Sequence, residues 1–370
     1  MIYSVLELDD DVLGVICSWV RHLAPLQSRG ILRRRRRKVE YATTLRSLAC
    51  TNKRFRALCT PFLFQRVRFV FQAGWDDRSF DEIHDALQQG WNSSIAYYAR
   101  SLRVTMWFSH DQLSAATNYR QQLFELFSDA IIALPHLKRL EICELREMCL
   151  KDELSKHIPG YQFLCVRELV VQQDQWQIIA ACPNTRSLKI TVTYQGDDLL
   201  KMFEAAGSLQ HLKSFSYDLG SDAADTLTDI NSIQKYIPRL EQLLVYEVGD
   251  YYAGILPGLG GFKHLQTLVL PFLDEMNVGY RTPRNRNTFA GRHGNEARLR
   301  LTAHEKALRE RLAQETFKAC RCLQAMWIGH RLKVSRAAGG EGLHYDFEAD
   351  WNSEYYKVKR PTRKRTNAYQ

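Results

Sequence analysis

Apolar positions along the chain first follow a helical period and then a strand period. Val12, Leu13, Ile16, Trp19 and Val20 fall on one helical face. Asp9, Asp10 and Asp11 precede them, where the positive end of a helix dipole favours negative charge. Leu45, Leu48 and Ala49 form a second apolar face, with Thr43 or Thr44 as its N-cap. Asn52 caps a third helix carrying Phe55, Leu58 and Cys59. Pro61 is expected to stop that helix and to open a last turn of Phe62, Leu63 and Phe64. These short helices carry more apolar side chains than so few residues can hide, so part of their surface needs a partner. At Val67, Phe69 and Phe71 the period drops to two, predicting a strand. A helix over 80–89 follows, and "IAYYARSLRVTM" reads as a helix end running into a strand.

From residue 137 a unit recurs on an L-x-x-L-x-L grid. Its copies are Leu137, Leu140, Ile142; Val166, Leu169, Val171; Thr185, Leu188, Ile190; and Leu212, Phe215, Tyr217. Leu240, Leu243, Val245; Leu265, Leu268, Leu270; and Leu323, Met326, Ile328 complete the series. The central residues are 29, 19, 27, 28 and 25 apart, with 58 before the last copy. Helical segments ending in loops with Pro135, Pro183 and Pro238 precede three copies. No single strand–helix unit can bury its own apolar face, so such units stack and share one core. The double interval holds a polar insertion near 272–300, with 280–297 lacking any apolar period, and then a charged helix over 299–317. In that helix Leu301, Leu308, Leu312 and Phe317 are the expected inward positions.

In a solenoid of parallel strands the residues between grid positions face the concave surface. Glu141, Glu168, Lys189, Ser216, Tyr246 and Trp327 are the candidates there for binding a protein substrate, with Tyr246 and Trp327 as aromatic anchors. A merely solvated face is the other reading of the same pattern.

The chain has 370 residues and a formal charge of +10. Arg33, Arg34, Arg35, Arg36, Arg37 and Lys38 supply six of those charges, and Lys357, Lys359, Arg360, Arg363, Lys364 and Arg365 six more. Subtracting these twelve leaves −2 on the remainder, which argues against a broad nucleic-acid face. Three readings of the first run stand: a solvated loop in an inserted segment near 25–40, a nuclear localisation patch, or a phosphate-contacting element. The basic stretch 336–370 is read as a disordered tail. The nine cysteines are irregularly spaced, without a paired CxxC, and suggest a reducing compartment. There is no long apolar run for a signal peptide or a membrane span, so a cytoplasmic and/or nuclear chain with no membrane partner is expected. "PGLGGF" (257–262) precedes a strand instead of following one, so it is a turn and not a phosphate loop. His136, His211 and His264 occupy one place in three repeats, which marks a loop entering a strand. Without a nucleophile–base pair, metal cluster or cofactor motif, neither catalysis nor a cofactor is expected.

The N-terminal stretch resembles the F-box. Its first half reads Leu8-Asp9-Asp10-Asp11-Val12-Leu13-Gly14-Val15-Ile16, with Asp9 in place of the family's proline, and its second half "SLACTNKRFRALCTPFLFQRV". A basic insertion of about fifteen residues separates the halves. The other reading is a small helical subdomain capping something larger. An F-box followed by leucine-rich repeats is a familiar arrangement, and the chain is similar to fungal examples with poorly matched repeats. The resemblance implies an α/β protein: an F-box-like helical module over 1–66, then an irregular leucine-rich-repeat solenoid over 67–335. It further implies docking on a Skp-type adaptor and, through it, on a cullin of a ubiquitin ligase. Leu8, Val12, Leu13, Ile16, Leu45, Leu48, Lys53, Phe55, Pro61 and Leu63 would form that module and its contact. The repeats would hold a substrate. A nuclear scaffold or nucleic-acid-associated protein is the competing expectation.

Overall fold

The computed structural model describes residue 13 and residues 44–72, 95–107, 125, 127–143, 158–172, 175–191, 198–217, 223–245, 252–273, 276, 278, 291–329, 332–337 and 342–347. The chain is α/β and forms two compact units, Met1–Asn184 and Thr185–Gln370.

Among the described residues the first unit has, after the helical Leu13, two short helices, α1 over 44–51 and α2 (Lys53–Leu63). Asn52 separates them, and its side chain accepts a hydrogen bond from the Phe55 amide at 2.8 Å, so it is the expected N-cap. Thr44 already lies within α1, so it is not the cap, and Thr43 lies outside the described residues. Pro61 does not stop α2, which runs on to Leu63. A proline removes one amide and its i−4 bond, and this close to a C-terminus that loss does not end the helix; the Phe64 amide still reaches the Thr60 carbonyl at 3.1 Å. Strand β1 (Arg66–Gln72) follows, then a helical turn α3 (Ile95–Tyr98), β2 (Ser101–Trp107), β3 (Arg139–Cys143) and β4 (Glu168–Gln172). All four strands are parallel, each paired with its successor.

The second unit repeats one strand–helix step: β5 (Ser187–Thr191), α4 (Asp198–Gly207), β6 (Ser214–Tyr217), α5 (Ala223–Tyr236) and β7 (Gln242–Val245). Then come α6 (Tyr252–Leu259), β8 (Thr267–Leu270), α7 (Gly291–Ala319) and β9 (Ala325–Ile328). Strands β5 to β9 are parallel neighbours in chain order, and helices α4 to α7 pack consecutively against one another. Two antiparallel strands, β10 (Leu332–Arg336) and β11 (Leu343–Asp346), end the sheet beside β9. Strand β11 falls inside the stretch assigned to the tail.

Register is what turns the periodic leucines into a core. Leu188, Phe215, Leu243, Leu268 and Met326 are aligned partners across β5–β9, and Leu102, Leu140 and Leu169 across β2–β4. None of these eight is more than 1% exposed. Each such side chain contributes roughly 1.5–3 kcal/mol by burial. The entries to β2–β4 and β6–β9 are built identically. One carbonyl accepts two successive amides from the next copy: Gln65 from Arg100 and Ser101, Arg100 from Lys138 and Arg139, Lys138 from Arg167 and Glu168. In the second unit Arg186, Lys213, Glu241 and Gln266 play the same part. The stretch Ala99, Leu102, Val104 is therefore a further copy, hidden in the sequence by an alanine in the first place; all three are buried.

Two expectations about the insertion change. Helix α7 begins at Gly291, not near 299, because a helix with good formers extends into poor sequence more cheaply than it nucleates. Its ion pairs Glu305–Arg309, Lys306–Glu310 and Arg311–Glu315 add i,i+4 support. Leu312 and Phe317 are buried as expected, whereas Leu301 and Leu308 are half-buried. Pro257 and Gly258 form the last turn of α6, and Gly258 has a packing reason: a Cβ there would run into Ile230 of α5. Among the described residues, no helix is long and apolar enough to cross a membrane.

Candidate interaction surfaces

The helical pair holds its own small core. Leu45, Ala49 and Cys59 are buried against each other, with Leu48, Leu58, Phe62 and Leu63 half-buried around them. Leu45 is fully buried, so it is core and not contact surface. Phe55 is also buried, Pro61 is half-buried, and Lys53 is exposed at the first position of α2. Leu13 is helical and fully buried. Leu8, Val12 and Ile16 lie outside the described residues, as do Arg33, Arg34, Arg35, Arg36, Arg37 and Lys38. Among the described residues, Leu48, Pro61 and Leu63, with the ammonium of Lys53, are the parts of the expected docking set that keep surface to offer.

On the first unit's sheet, the face opposite the buried grid carries a ladder of charge. Arg103 of β2 meets Glu141 of β3 at 3.3 Å, Glu141 meets Arg139 at 3.3 Å, and Arg139 meets Glu168 of β4 at 3.4 Å. Register explains the contacts, because Arg103 and Glu141 are aligned partners and so are Arg139 and Glu168. Two expected site residues, Glu141 and Glu168, are thus brought together through Arg139. They are not free acids awaiting a ligand, since each carboxylate lies against a guanidinium. Strand β1 extends the same face with Arg66 and Arg68, both exposed. Arg68 is aligned with Arg103 and Arg66 with Ser101. Sequence reasoning missed Arg66, Arg68 and Arg103 as one feature; the signal was arginine at alternate positions in "RVRF" and a single arginine between apolar residues in "SLRV".

The corresponding face of the second unit is different. Lys189 is half-buried, while Ser216, Leu244, Val269 and Trp327 form an aligned row that is buried. Trp327 is only 1% exposed, with the Lys333 ammonium 5.5 Å from its ring centroid. It is therefore no accessible anchor, and Ser216 is no accessible contact. Strands buried on both faces read as continuous apolar runs, and "LLV", "LVL" and "MWI" in β7–β9 are such runs. Tyr246 lies outside the described residues.

The cysteines follow the grid. Cys182 and Cys320 stand three residues before the first grid position, a place held elsewhere by Leu134, Phe163, Leu209, Ile237 and Phe262, and all seven are buried. Burial raises the thiol of Cys182 and pushes that of Cys320 up to about 12, the latter helped by Cys322, whose sulfur lies 3.5 Å away. Cys322 donates in turn to the Phe262 carbonyl at 3.0 Å. Among the described residues no group of three or more His, Cys, Asp or Glu side chains gathers as a metal site would require. His136 is stacked edge-on against Tyr97, with centroids 4.8 Å apart.

Compared with known proteins, the chain matches no protein-family model and no curated protein.

Proposed function

We propose that the chain is a non-catalytic recognition subunit of an SCF-type cullin–RING ubiquitin ligase. The helical module docks on a Skp-type adaptor, and an irregular leucine-rich-repeat solenoid holds a protein substrate. The observation that carries this reading is the juxtaposition of two features. A two-helix core leaves Leu48, Leu58, Phe62 and Leu63 half-buried. Directly after it, parallel strands begin whose buried positions repeat in register. Helices with apolar surface left over suit an adaptor, and the parallel strands of the first unit offer a binding face opposite their buried grid. Catalysis then resides elsewhere in the complex, and this chain acts by bringing substrate near. Compartment follows from that partner: cytoplasmic and/or nuclear.

The test is capture of a purified Skp-type adaptor by the full chain and by a Leu48→Asp, Leu63→Asp variant. Leu45 is unsuitable for such a test, because its complete burial would confuse unfolding with lost contact. The adaptor should be retained by the wild type and lost by the variant while circular dichroism stays unchanged. A folded wild type that does not retain the adaptor overturns the reading.

A further inference from the structure

We propose that Arg66, Arg68 and Arg103 form a docking site for an acidic peptide segment of the protein substrate. The inference rests on the substrate-binding reading above and names the chemistry that its first strands select. The face of β1–β4 opposite the buried grid bears four arginines, Arg66, Arg68, Arg103 and Arg139, against two carboxylates, Glu141 and Glu168. The two carboxylates are engaged by Arg103 and Arg139. The positive excess therefore lies at the β1 end, on side chains that are exposed.

Placing Arg68 directly beside Arg103 on the neighbouring strand is unfavourable in an isolated sheet, because like charges in aligned positions repel. Arg103 also has an unmet need. Its Nη1 reaches Glu141, but its Nε is shielded from solvent and has no hydrogen-bond partner. Further along the same face of β2, the Thr105 hydroxyl is buried and likewise without a partner. A carboxylate laid between Arg68 and Arg103 would relieve the repulsion and accept from the exposed guanidinium of Arg68. Along β1, Arg66 and Arg68 are separated by about 6.6 Å, two strand steps. An extended peptide spaces alternate side chains equally, so acidic residues at positions i and i+2 match the pair. Nucleic acid fits less well: a continuous run of phosphates crossing this face would meet Glu141 and Glu168, whereas a peptide can set neutral residues over them.

The experiment is fluorescence anisotropy of a fluorescein-labelled octaglutamate peptide with the full chain at low salt, beside octalysine and an octathymidylate oligonucleotide. Octaglutamate should bind in preference to both. An Arg66→Gln, Arg68→Gln variant should bind it on the order of tenfold more weakly. The single exchange Arg68→Glu, at an exposed position, should weaken it in the same sense if the double variant proves unstable. Replacing Arg33–Lys38 with glutamine should leave the affinity unchanged. Absence of binding by the wild type, an affinity indifferent to Arg66 and Arg68, dependence on Arg33–Lys38 instead, or tighter binding of the oligonucleotide would each overturn the proposal. Adaptor capture is measured on the same preparations. Loss of the arginine effect with the adaptor retained removes the docking site alone, whereas failure to retain the adaptor counts against the ligase reading independently.

Discussion

Cys182 and Cys320 look like candidates for thiol chemistry until their place is seen. Both occupy a fourth position of the repeat, where Leu134, Phe163, Leu209, Ile237 and Phe262 stand in other copies. A buried thiol there acts as a small hydrophobe, and ionising it would put a charge in the core. Tyr252 is a third acid of the same kind. Its hydroxyl is buried between α6 and α7 and pairs with that of Thr316, and burial raises its pKa. For all three the folded state favours the protonated form. For the two thiols the resulting contribution to stability is complete below the ordinary value of 9.0 and is lost as pH rises above it, for Cys320 toward about 12; for Tyr252 it is complete below 10.0 and is lost above that. Unfolding free energies from urea titrations between pH 8 and 11 should fall, by up to about 1.4 kcal/mol per pH unit for a fully buried thiol, and the midpoints with them. Cys182→Ala should flatten the fall while lowering stability at pH 8. A midpoint that holds steady to pH 11 would mean these groups ionise without cost.

At the scale of single elements, α2 depends on one polar contact. Asn52 is extended and accepts from the Phe55 amide, and no acidic residue stands in the first turn to support that helix end. Asn52→Ala should cost α2 about 1 kcal/mol and speed amide exchange in its first turn, leaving the β2–β3 amides unchanged. This cap was legible in the sequence, because an asparagine before an apolar face has few other uses. The strands were legible for a similar reason, since the leucine grid states both period and buried face. What stayed hidden depends on neighbours that a single segment does not display. The fourth repeat position varies among Leu134, Phe163, Cys182 and Ile237, and only shared burial unites them. The arginine face needed register, which pairs Arg68 with Arg103 across a long interval of sequence. Trp327 was read as an exposed anchor by strand alternation alone, although the apolar neighbours Leu244 and Val269 in the same row pointed to burial on both faces.

For the whole molecule, the parallel ladder makes stability a matter of neighbours. In each unit a strand is hydrogen-bonded to the strands before and after it in the chain, and its carbonyl–amide fork depends on the next copy alone. Energy in such an array is roughly a sum of repeat and interface contributions, so a local defect loosens adjacent copies before distant ones. Leu243 is fully buried and aligned between Phe215 and Leu268. Leu243→Ala should remove roughly 2–5 kcal/mol of local stability. Hydrogen exchange should then rise in β6, β7 and β8, while β2 and β3 in the other compact unit keep their protection. An equal rise in β2 and β3 would show that the two units open together. The same experiment bears on function. If the first unit stays closed while the second is weakened, the arginine face at β1–β2 should still bind octaglutamate in the Leu243→Ala variant, because that surface draws its geometry from its own four strands.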